Sequence, residues 1–347
     1  MRAHRLLAAA VATAATLALA ACGGGSDETG EPAAGGSSAA TASFPITIKH
    51  KLGTTTIEKK PERVATVQWE NHEVPLALGI VPVGMAKANF GDDDGDGMLP
   101  WVGEKIKELG GQTPVMFDET DGIAFEAVAN TKPDVILATY SGITQQDYDT
   151  LSKIAPVIAY PDAPWATPWR DIVKLSSQAL GLQAQGDELI ANTEKAMKDA
   201  AAKKPQLAGK QTMFVTHIDP TDLSKIGYYT SHDTRTQFFS DLGLKIADVV
   251  EKDSQGTDAF TLNKSSEQIQ AFDDVDVIVM YADSEDQLAK LQADPLLSKI
   301  PALERGSVVS LVGSTPLATA ANPTVLAIPY VLDDYVNLLA TAADKVS

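Results

Sequence analysis

The sequence predicts an α/β protein in which two similar halves are joined by one long helix. The first observation is an amphipathic helical pattern at residues 183–205, near the middle of a chain of 347 residues. The second is that the two flanks are alike. Each has a short apolar strand, a helical pattern containing Leu-Gly, and a glutamate before a short helix that leads to a buried strand and a tyrosine. Two such halves make a two-lobed protein, and the space between them is the expected ligand cleft.

The N-terminus has the pattern of a secretory signal peptide over residues 1–21. Arg2 and Arg5 precede an apolar run of alanine, leucine and valine that is too short for a membrane span. The run ends at Cys22, the only cysteine of the chain, and the local sequence resembles a bacterial lipoprotein box. We therefore expect export and lipid attachment at Cys22, with no internal disulfide.

Residues 22–43 predict a flexible, lipid-anchored tether. They are rich in glycine, serine, alanine, threonine, glutamate and proline, and lack the apolar surface that a core needs. After it we expect an N-terminal lobe at residues 44–182, the connecting helix at 183–205 and a C-terminal lobe at 206–347. The protein is then expected at the outer face of the cell membrane, held by its lipid.

Charge argues against a nucleic-acid partner. The formal net charge is -18, and loss of Arg2 and Arg5 with the signal peptide makes it -20. Nucleic-acid binding requires a basic face, which this composition does not favour. It also argues mildly against a strongly anionic ligand.

The connecting helix shows its apolar face at three- and four-residue spacing. That face carries Leu189, Ile190, Thr193, Ala196, Met197 and Ala200. Charged residues occupy the opposite face, and Pro205 is expected to end the helix.

The internal repeat is approximate. Glu126 and Tyr140 in the first half correspond to Glu267 and Tyr281 in the second. Aligning the glutamates leaves the following strands one residue out of step, and a one-residue slip exchanges the two faces of a strand. The two tyrosines are therefore not predicted to be equivalent.

From residue 44 onward several short segments occur in a characteristic order, and no single one of them is decisive. These segments are Pro61-Glu62-Arg63-Val64, residues 76–84, 132–136, 151–157, 164–169 and 179–181, and the block Asp233-Thr-Arg235 with Leu242-Gly243. Through these segments the chain resembles the ferric siderophore-binding proteins of ABC importers. Where the family more often has proline, this chain has Thr234.

The resemblance implies two Rossmann-like lobes bridged by a rigid helix, and capture of an iron chelate for a membrane permease with its ATPase. The iron would be ligated by the siderophore, so we expect no cofactor and no protein metal ligand. We also expect a monomer that performs no reaction. In this family one glutamate on each lobe pairs with arginines of the permease, and Glu126 and Glu267 match those positions.

Candidate ligand-binding residues come from the predicted carboxyl ends of strands and from loops. In open α/β sheets ligands lie beyond the carboxyl ends of the strands. Trp69, Tyr140, His217 and Tyr281 are expected there. Loop positions add a further set: Trp101, Trp165, Trp169, Arg170, Tyr228, Tyr229 and Arg235. Thr167 is expected to cap the helix that begins with Pro168.

Three other signals are weak. Asp92, Asp94 and Asp96 begin a calcium-loop pattern, but Gly103 stands where its final glutamate is needed. The histidines form no metal-binding pair or cluster. The sequence also has no nucleophile elbow, phosphate loop or dinucleotide fingerprint.

The ligand class follows from the scarcity of arginine. Of the four arginines after the signal peptide, Arg170 and Arg235 are the cleft candidates, whereas a triply anionic catecholate would need several. Aromatic loops favour a hydroxamate or mixed siderophore of low charge. Haem or a corrinoid is the alternative ligand, and a surface receptor or sensor without a transport role is the alternative function.

Overall fold

The computed structural model describes residues 43–219 and 221–346. The predicted signal peptide, the lipid anchor at Cys22 and the tether, apart from Ser43, lie outside the described residues. Within those residues, none of the helices combines the length and apolar character that crossing a membrane requires.

The described chain contains thirteen strands and twelve α-helices. The strands are β1 Ile46–His50, β2 Gly53–Ile57, β3 Val64–Thr66, β4 Gly84–Ala86, β5 Val115–Phe117, β6 Val135–Ala138, β7 Val157–Ala159, β8 Gln211–Val215, β9 Lys225–Tyr229, β10 Lys245–Ile246, β11 Thr261–Ser265, β12 Val277–Ala282 and β13 Val308–Val312. The helices are α1 Glu73–Ala77, α2 Pro100–Glu108, α3 Phe125–Asn130, α4 Gln145–Leu151, α5 Trp169–Ala179, α6 Gln183–Ala202, α7 Thr234–Asp241, α8 Asp248–Asp253, α9 Gln287–Ala293, α10 Pro301–Glu304, α11 Pro316–Ala320 and α12 Ala327–Ala343. Short 3-10 helices occur at Pro205–Leu207, Ser266–Phe272 and Leu297–Lys299.

The first half is built on a parallel five-stranded sheet with the order β5-β4-β3-β6-β7. β1 and β2 form a separate antiparallel hairpin beside it. From β3 the chain adds β4 and then β5 on one side of the sheet. It then returns and adds β6 and β7 on the other side of β3. The point between β3 and β6 is a topological switch point, where α/β sheets bind ligands.

The second half is built on a six-stranded sheet with the order β11-β9-β8-β12-β13, and β10 also pairs with β8. β8, β10, β12 and β13 are parallel, whereas β9 and β11 add an antiparallel edge. The switch point here lies between β8 and β12. The prediction of an α/β fold with two Rossmann-like lobes is therefore confirmed.

Helix α6 joins the two halves, as predicted, and is the longest helix described. It buries Ile190, Thr193, Met197 and Ala200. The helix ends at Ala202, before the predicted end at residue 205, and a 3-10 turn begins at Pro205.

The two halves also meet through a shared apolar cluster and through polar contacts. Residues of α2 and α5 belong to the same hydrophobic cluster as residues of α7 and α12. Gly91 donates its backbone N–H to Ser314 Oγ at 2.8 Å. The buried Glu73 carboxylate accepts from Trp101 Nε1 at 2.6 Å and from Leu326 N, at the start of α12, at 2.9 Å.

Candidate functional site

A cavity of about 320 Å³ lies where the two switch points face each other. This volume is within the range of small-molecule sites. Most of its walls are aromatic. The lining residues are Trp69, Phe90, Tyr140, Trp165, His217, Tyr229, Asp233, Arg235, Phe260, Tyr281, Thr319 and Asn322. We call this cavity the cleft.

Aromatic rings pack on one another across the cleft wall of the second half. His217 and Tyr281 stack with ring centroids 4.9 Å apart, and Phe90 meets Tyr281 edge-on at 6.1 Å. On the first half, Tyr140 and Trp165 meet edge-on at 5.5 Å. Flat apolar faces held in fixed orientations suit the organic part of a ligand.

Arg235 is the arginine of the cleft. Its Nη1 donates to both oxygens of the buried Asp233, its Nε donates to Tyr281 Oη at 3.1 Å, and the guanidinium lies 4.4 Å from the ring centroid of Tyr229. Within the described chain, its Nη2 has no hydrogen-bond partner, so these donors are free for ligand oxygens.

Burial raises the pKa of Tyr140 and Tyr281, so both hydroxyls stay neutral and remain able to donate. Asn322 donates to Tyr140 Oη at 3.3 Å and accepts from Thr234 Oγ1. Thr234 therefore takes part in a polar link between the two halves.

The loop after β3 positions Trp69. Asn71 is fully buried; its Nδ2 donates to the carbonyl oxygens of Val67 and Tyr140 at 2.8 Å, and its Oδ1 accepts from Tyr140 N at 2.9 Å. Gln68 and Glu70 adopt left-handed backbone angles, with φ of 62° and 59°. The loop is therefore tied to the end of β6 and bent sharply.

Four predicted site residues lie outside the cleft, and their placement there is corrected. Trp101 is buried in α2, bonded to Glu73. Trp169 is buried at the start of α5 and donates to Asp241 at 3.1 Å, while Arg170 forms ion pairs with Asp241 and Glu194. Pro168, and not the predicted Thr167, occupies the cap position of α5, so Trp169 is the first residue of that helix.

Tyr228 is the fourth of these residues. Tyr228 and Tyr229 lie in β9, not in a loop, so their side chains point to opposite faces of the sheet. Tyr229 reaches the cleft, whereas Tyr228 is buried in the core and bonds Asp253. Tyr281 likewise lies inside β12, although a position after the strand was predicted.

Sequence reasoning missed five lining residues: Phe90, Asp233, Phe260, Thr319 and Asn322. Asp233 could have been predicted, because it lies in the Asp-Thr-Arg block and caps α7. Phe90, Phe260 and Asn322 come from connections without a distinctive pattern and Thr319 comes from the short helix α11; the tertiary fold brings all four to the cleft.

The remaining candidates lie elsewhere on the surface. Glu126 is exposed in the first turn of α3, and Glu267 is exposed in the first turn of the 3-10 helix Ser266–Phe272. Asp92, Asp94 and Asp96 hold carboxylate oxygens within 4.8 Å of one another. Both Asp92 oxygens already accept backbone N–H groups, from Gly95 and Gly97.

Comparison with known proteins identifies a matching family and a similar lipoprotein. The pattern of the family described as periplasmic binding protein matches residues 64–314. The chain is 30% identical over 248 residues to the probable siderophore-binding lipoprotein YfiY of Bacillus subtilis (strain 168). The aligned region covers 70% of each protein.

Solved structures with a similar fold include PiaA and SirA. PiaA of Streptococcus pneumoniae TIGR4, in complex with ferrichrome, has a TM-score of 0.83 and 47% identity, covering 87% of this chain and 100% of that one. SirA of Staphylococcus aureus, complexed with staphyloferrin B, has a TM-score of 0.66 and 21% identity, covering 84% and 98%. At that lower identity the likeness concerns the fold alone.

Proposed function

The chain belongs to the periplasmic binding protein family, and from this premise we propose that it captures an Fe(III)–siderophore and delivers it to an ABC permease for iron uptake. The observation that carries the proposal is the cleft itself. Its walls are aromatic, and Arg235 presents free Nη2 donors between them. The names of the relatives support the same reading, since YfiY is described as siderophore-binding and PiaA is seen with ferrichrome.

A hydroxamate or mixed siderophore suits this cleft best. Arg235 is the one arginine among its lining residues, and Asp233 already neutralises part of its charge. A triply anionic catecholate would lack counter-charges here, whereas a neutral ferric tris-hydroxamate needs only hydrogen-bond donors and apolar contact. In this proposal the siderophore supplies all iron ligands, and the protein performs no reaction.

Titration with defined chelates tests the proposed function. We expect ferrichrome to quench tryptophan fluorescence with sub-micromolar affinity, while ferric enterobactin, haem and cobalamin bind far more weakly. Trp165→Ala should cost about 1–3 kcal/mol of ferrichrome binding in calorimetry, since it removes an aromatic anchor. Arg235→Lys should also weaken binding, because the lysine keeps the Asp233 pair but loses the planar fork.

Matched controls lie outside the cleft. Tyr330→Ala removes an exposed aromatic side chain, and Arg170→Lys alters an arginine that pairs with Asp241; both should bind ferrichrome as the wild type does. Tight binding of enterobactin, haem or cobalamin with none of ferrichrome would refute the ligand class. Equal losses in the cleft and control variants would refute the assignment of the cleft.

We also infer that the protein is a monomer anchored through lipid at Cys22. The position of this single cysteine at the end of an apolar leader supports the inference. Cys22→Ala should abolish incorporation of labelled palmitate and release the protein from the membrane fraction, whereas Ser26→Ala should change neither. Labelling that persists in Cys22→Ala would contradict the anchor.

A further inference from the structure

The connection between β4 and α2, residues 87–99, reaches from the first half of the molecule to the second. It carries Phe90, which lines the cleft and meets the rings of His217 and Tyr281 edge-on, with centroids 6.4 Å and 6.1 Å away. Both of those partners belong to the second half. The position of Phe90 in the cleft wall therefore depends on how this connection is held against the second half.

The neighbouring Gly91 makes the closest approach between the two halves at this point. Its backbone N–H donates to Ser314 Oγ at 2.8 Å. A Cβ added to Gly91 would lie 1.9 Å from Thr319 Oγ1 and 2.8 Å from Thr319 Cβ. Rotation of the threonine side chain can move Oγ1 but not Cβ, so any side chain at residue 91 would push the connection away from α11. The φ of +84° at Gly91 also favours glycine.

The two partners of Gly91 are themselves held in place. Ser314 directly precedes Thr315, which caps α11 by accepting the backbone N–H of Ala318. Thr319 is 1% exposed, and its Oγ1 donates to Thr315 O at 3.0 Å. The start of α11 therefore offers Gly91 a fixed surface.

The connection is also braced on the side of the first half. Lys87 N donates to Phe117 O, at the end of β5, at 2.8 Å, and Ala88 N donates to Gly97 O at 2.9 Å. Asp92 Oδ2 accepts the backbone N–H of Gly97 at 2.8 Å. These bonds tie the connection to the first sheet, so the two halves cannot separate here without breaking its contact with α11.

Resting on the proposed function, we propose that the contact of Gly91 with Ser314 and Thr319 is a latch that must open each time a ferric siderophore enters or leaves the cleft. Phe90 and Thr319 both line the cleft, so opening the latch widens the space between its two walls. The hydrogen bond of the latch joins two protein groups and involves no ligand atom. A contact that is equally strong in the free and the loaded protein changes both rates of passage by the same factor and leaves Kd unchanged.

Hydrogen exchange on the ligand-free protein tests the latch itself. In Gly91→Ala the amides of residues 314–320 should exchange about tenfold faster than in the wild type, because the added Cβ displaces α11. Gly95→Ala is the matched control. Gly95 also has a φ of +84°, but a Cβ there meets nothing within 4 Å, so residues 314–320 should stay as protected as in the wild type.

Stopped-flow quenching by ferrichrome tests the effect of the latch on ligand passage. Ser314→Ala removes the acceptor of the Gly91 N–H, and Ser314 is not one of the described residues that line the cleft. The association and dissociation rate constants should both rise about fivefold, the size expected for one hydrogen bond, while Kd stays within about twofold.

Two further variants identify what causes a change in rate. Ser224→Ala removes an exposed serine whose hydroxyl bonds Asp222 within the second half, and both rate constants should stay as in the wild type. Trp165→Ala removes a ligand contact and should raise the dissociation rate constant alone. Circular dichroism reports whether each variant is folded.

The outcomes separate the latch from the function on which it rests. Wild-type rate constants in Ser314→Ala overturn the latch, and so does a rise in the dissociation rate constant alone. Faster exchange of residues 314–320 in both glycine variants also overturns it, because backbone strain would then be the cause. If no ferric siderophore binds the wild type, the proposed function fails, whereas the exchange comparison still shows whether Gly91 holds α11.

Discussion

His72 is a buried residue at the cap position of α1, and its burial opposes protonation of the imidazole. It is 6% exposed, and burial lowers its pKa from 6.5 to about 4. A group whose pKa is lower in the folded state contributes stability above its unfolded pKa and loses it as the pH falls. We therefore expect the free energy of unfolding to fall by about 2 kcal/mol from this residue between pH 7 and pH 5.

Urea denaturation of the wild type and of His72→Gln at the two pH values measures this contribution. The variant cannot be protonated, so its stability relative to the wild type should rise by about 2 kcal/mol on going to pH 5. If the free energy of unfolding falls equally in the two proteins between pH 7 and pH 5, burial does not oppose protonation of His72.

Cleft residues that directly follow a strand could be predicted from the sequence. Residues inside a strand could not, because the sequence did not show which face of the sheet their side chains would take. Trp69, Tyr140 and His217 follow β3, β6 and β8 and reach the cleft. The neighbours Tyr228 and Tyr229 look alike in sequence, yet period-two geometry sends one of them into the core. Arg170 and Arg235 were equal candidates, and only the tertiary positions of Asp241 and Asp233 separate them.

At the scale of elements, the cleft is built from bends with strained backbones. Gln68, Glu70 and Trp165 have φ near +60°, a conformation that costs side chains of this kind about 1 kcal/mol each. Packing and hydrogen bonds hold them there, as Trp165 N shows by donating to Ser141 O at 3.1 Å. Strain of this type gathers at functional sites.

Gly142 makes the position of Trp165 possible. A Cβ at residue 142 would lie 2.3 Å from Trp165 Nε1, so the indole must move in Gly142→Ala. We expect ferrichrome affinity to fall by about tenfold, since an aromatic anchor is displaced. Calorimetric titration of the variant measures the loss.

Gly103→Ala is the matched control. It lies in helix α2, where an added Cβ meets nothing within 4 Å, so binding should stay unchanged and stability should rise slightly. Wild-type affinity in Gly142→Ala would mean that Trp165 is not an anchor.

The sequence predicted which segments form helices and strands better than it predicted where they end and how the strands pair. The family match confirms the resemblance that the ordered segments indicated. Apolar periodicity located α6 and the buried strands, because burial imposes that periodicity. The antiparallel edge of β9 and β11 was not foreseen, since pairing depends on contacts between residues 225–229 and 261–265 that no local pattern specifies.

At the scale of the whole molecule, Glu126 and Glu267 remain predicted permease contacts. Both are exposed at the start of short helices, one in each half. Exposed charge pairs contribute little affinity but fix orientation and association rate. Glu126→Ala combined with Glu267→Ala should leave ferrichrome affinity intact while uptake of iron-55 ferrichrome by cells falls to background.

The double variant Glu104→Ala with Glu304→Ala, also exposed helix glutamates, should transport normally. Uptake at the wild-type rate by the Glu126/Glu267 variant would show that docking uses other residues.

Glu73 links the two halves through a buried hydrogen bond. This carboxylate belongs to α1 of the first half, yet it accepts from Leu326 N at the start of α12, with 1% exposure. Separating the halves would break this hydrogen bond and leave the backbone N–H of Leu326 without its acceptor, which costs about 1 kcal/mol. The contact therefore opposes opening of the cleft.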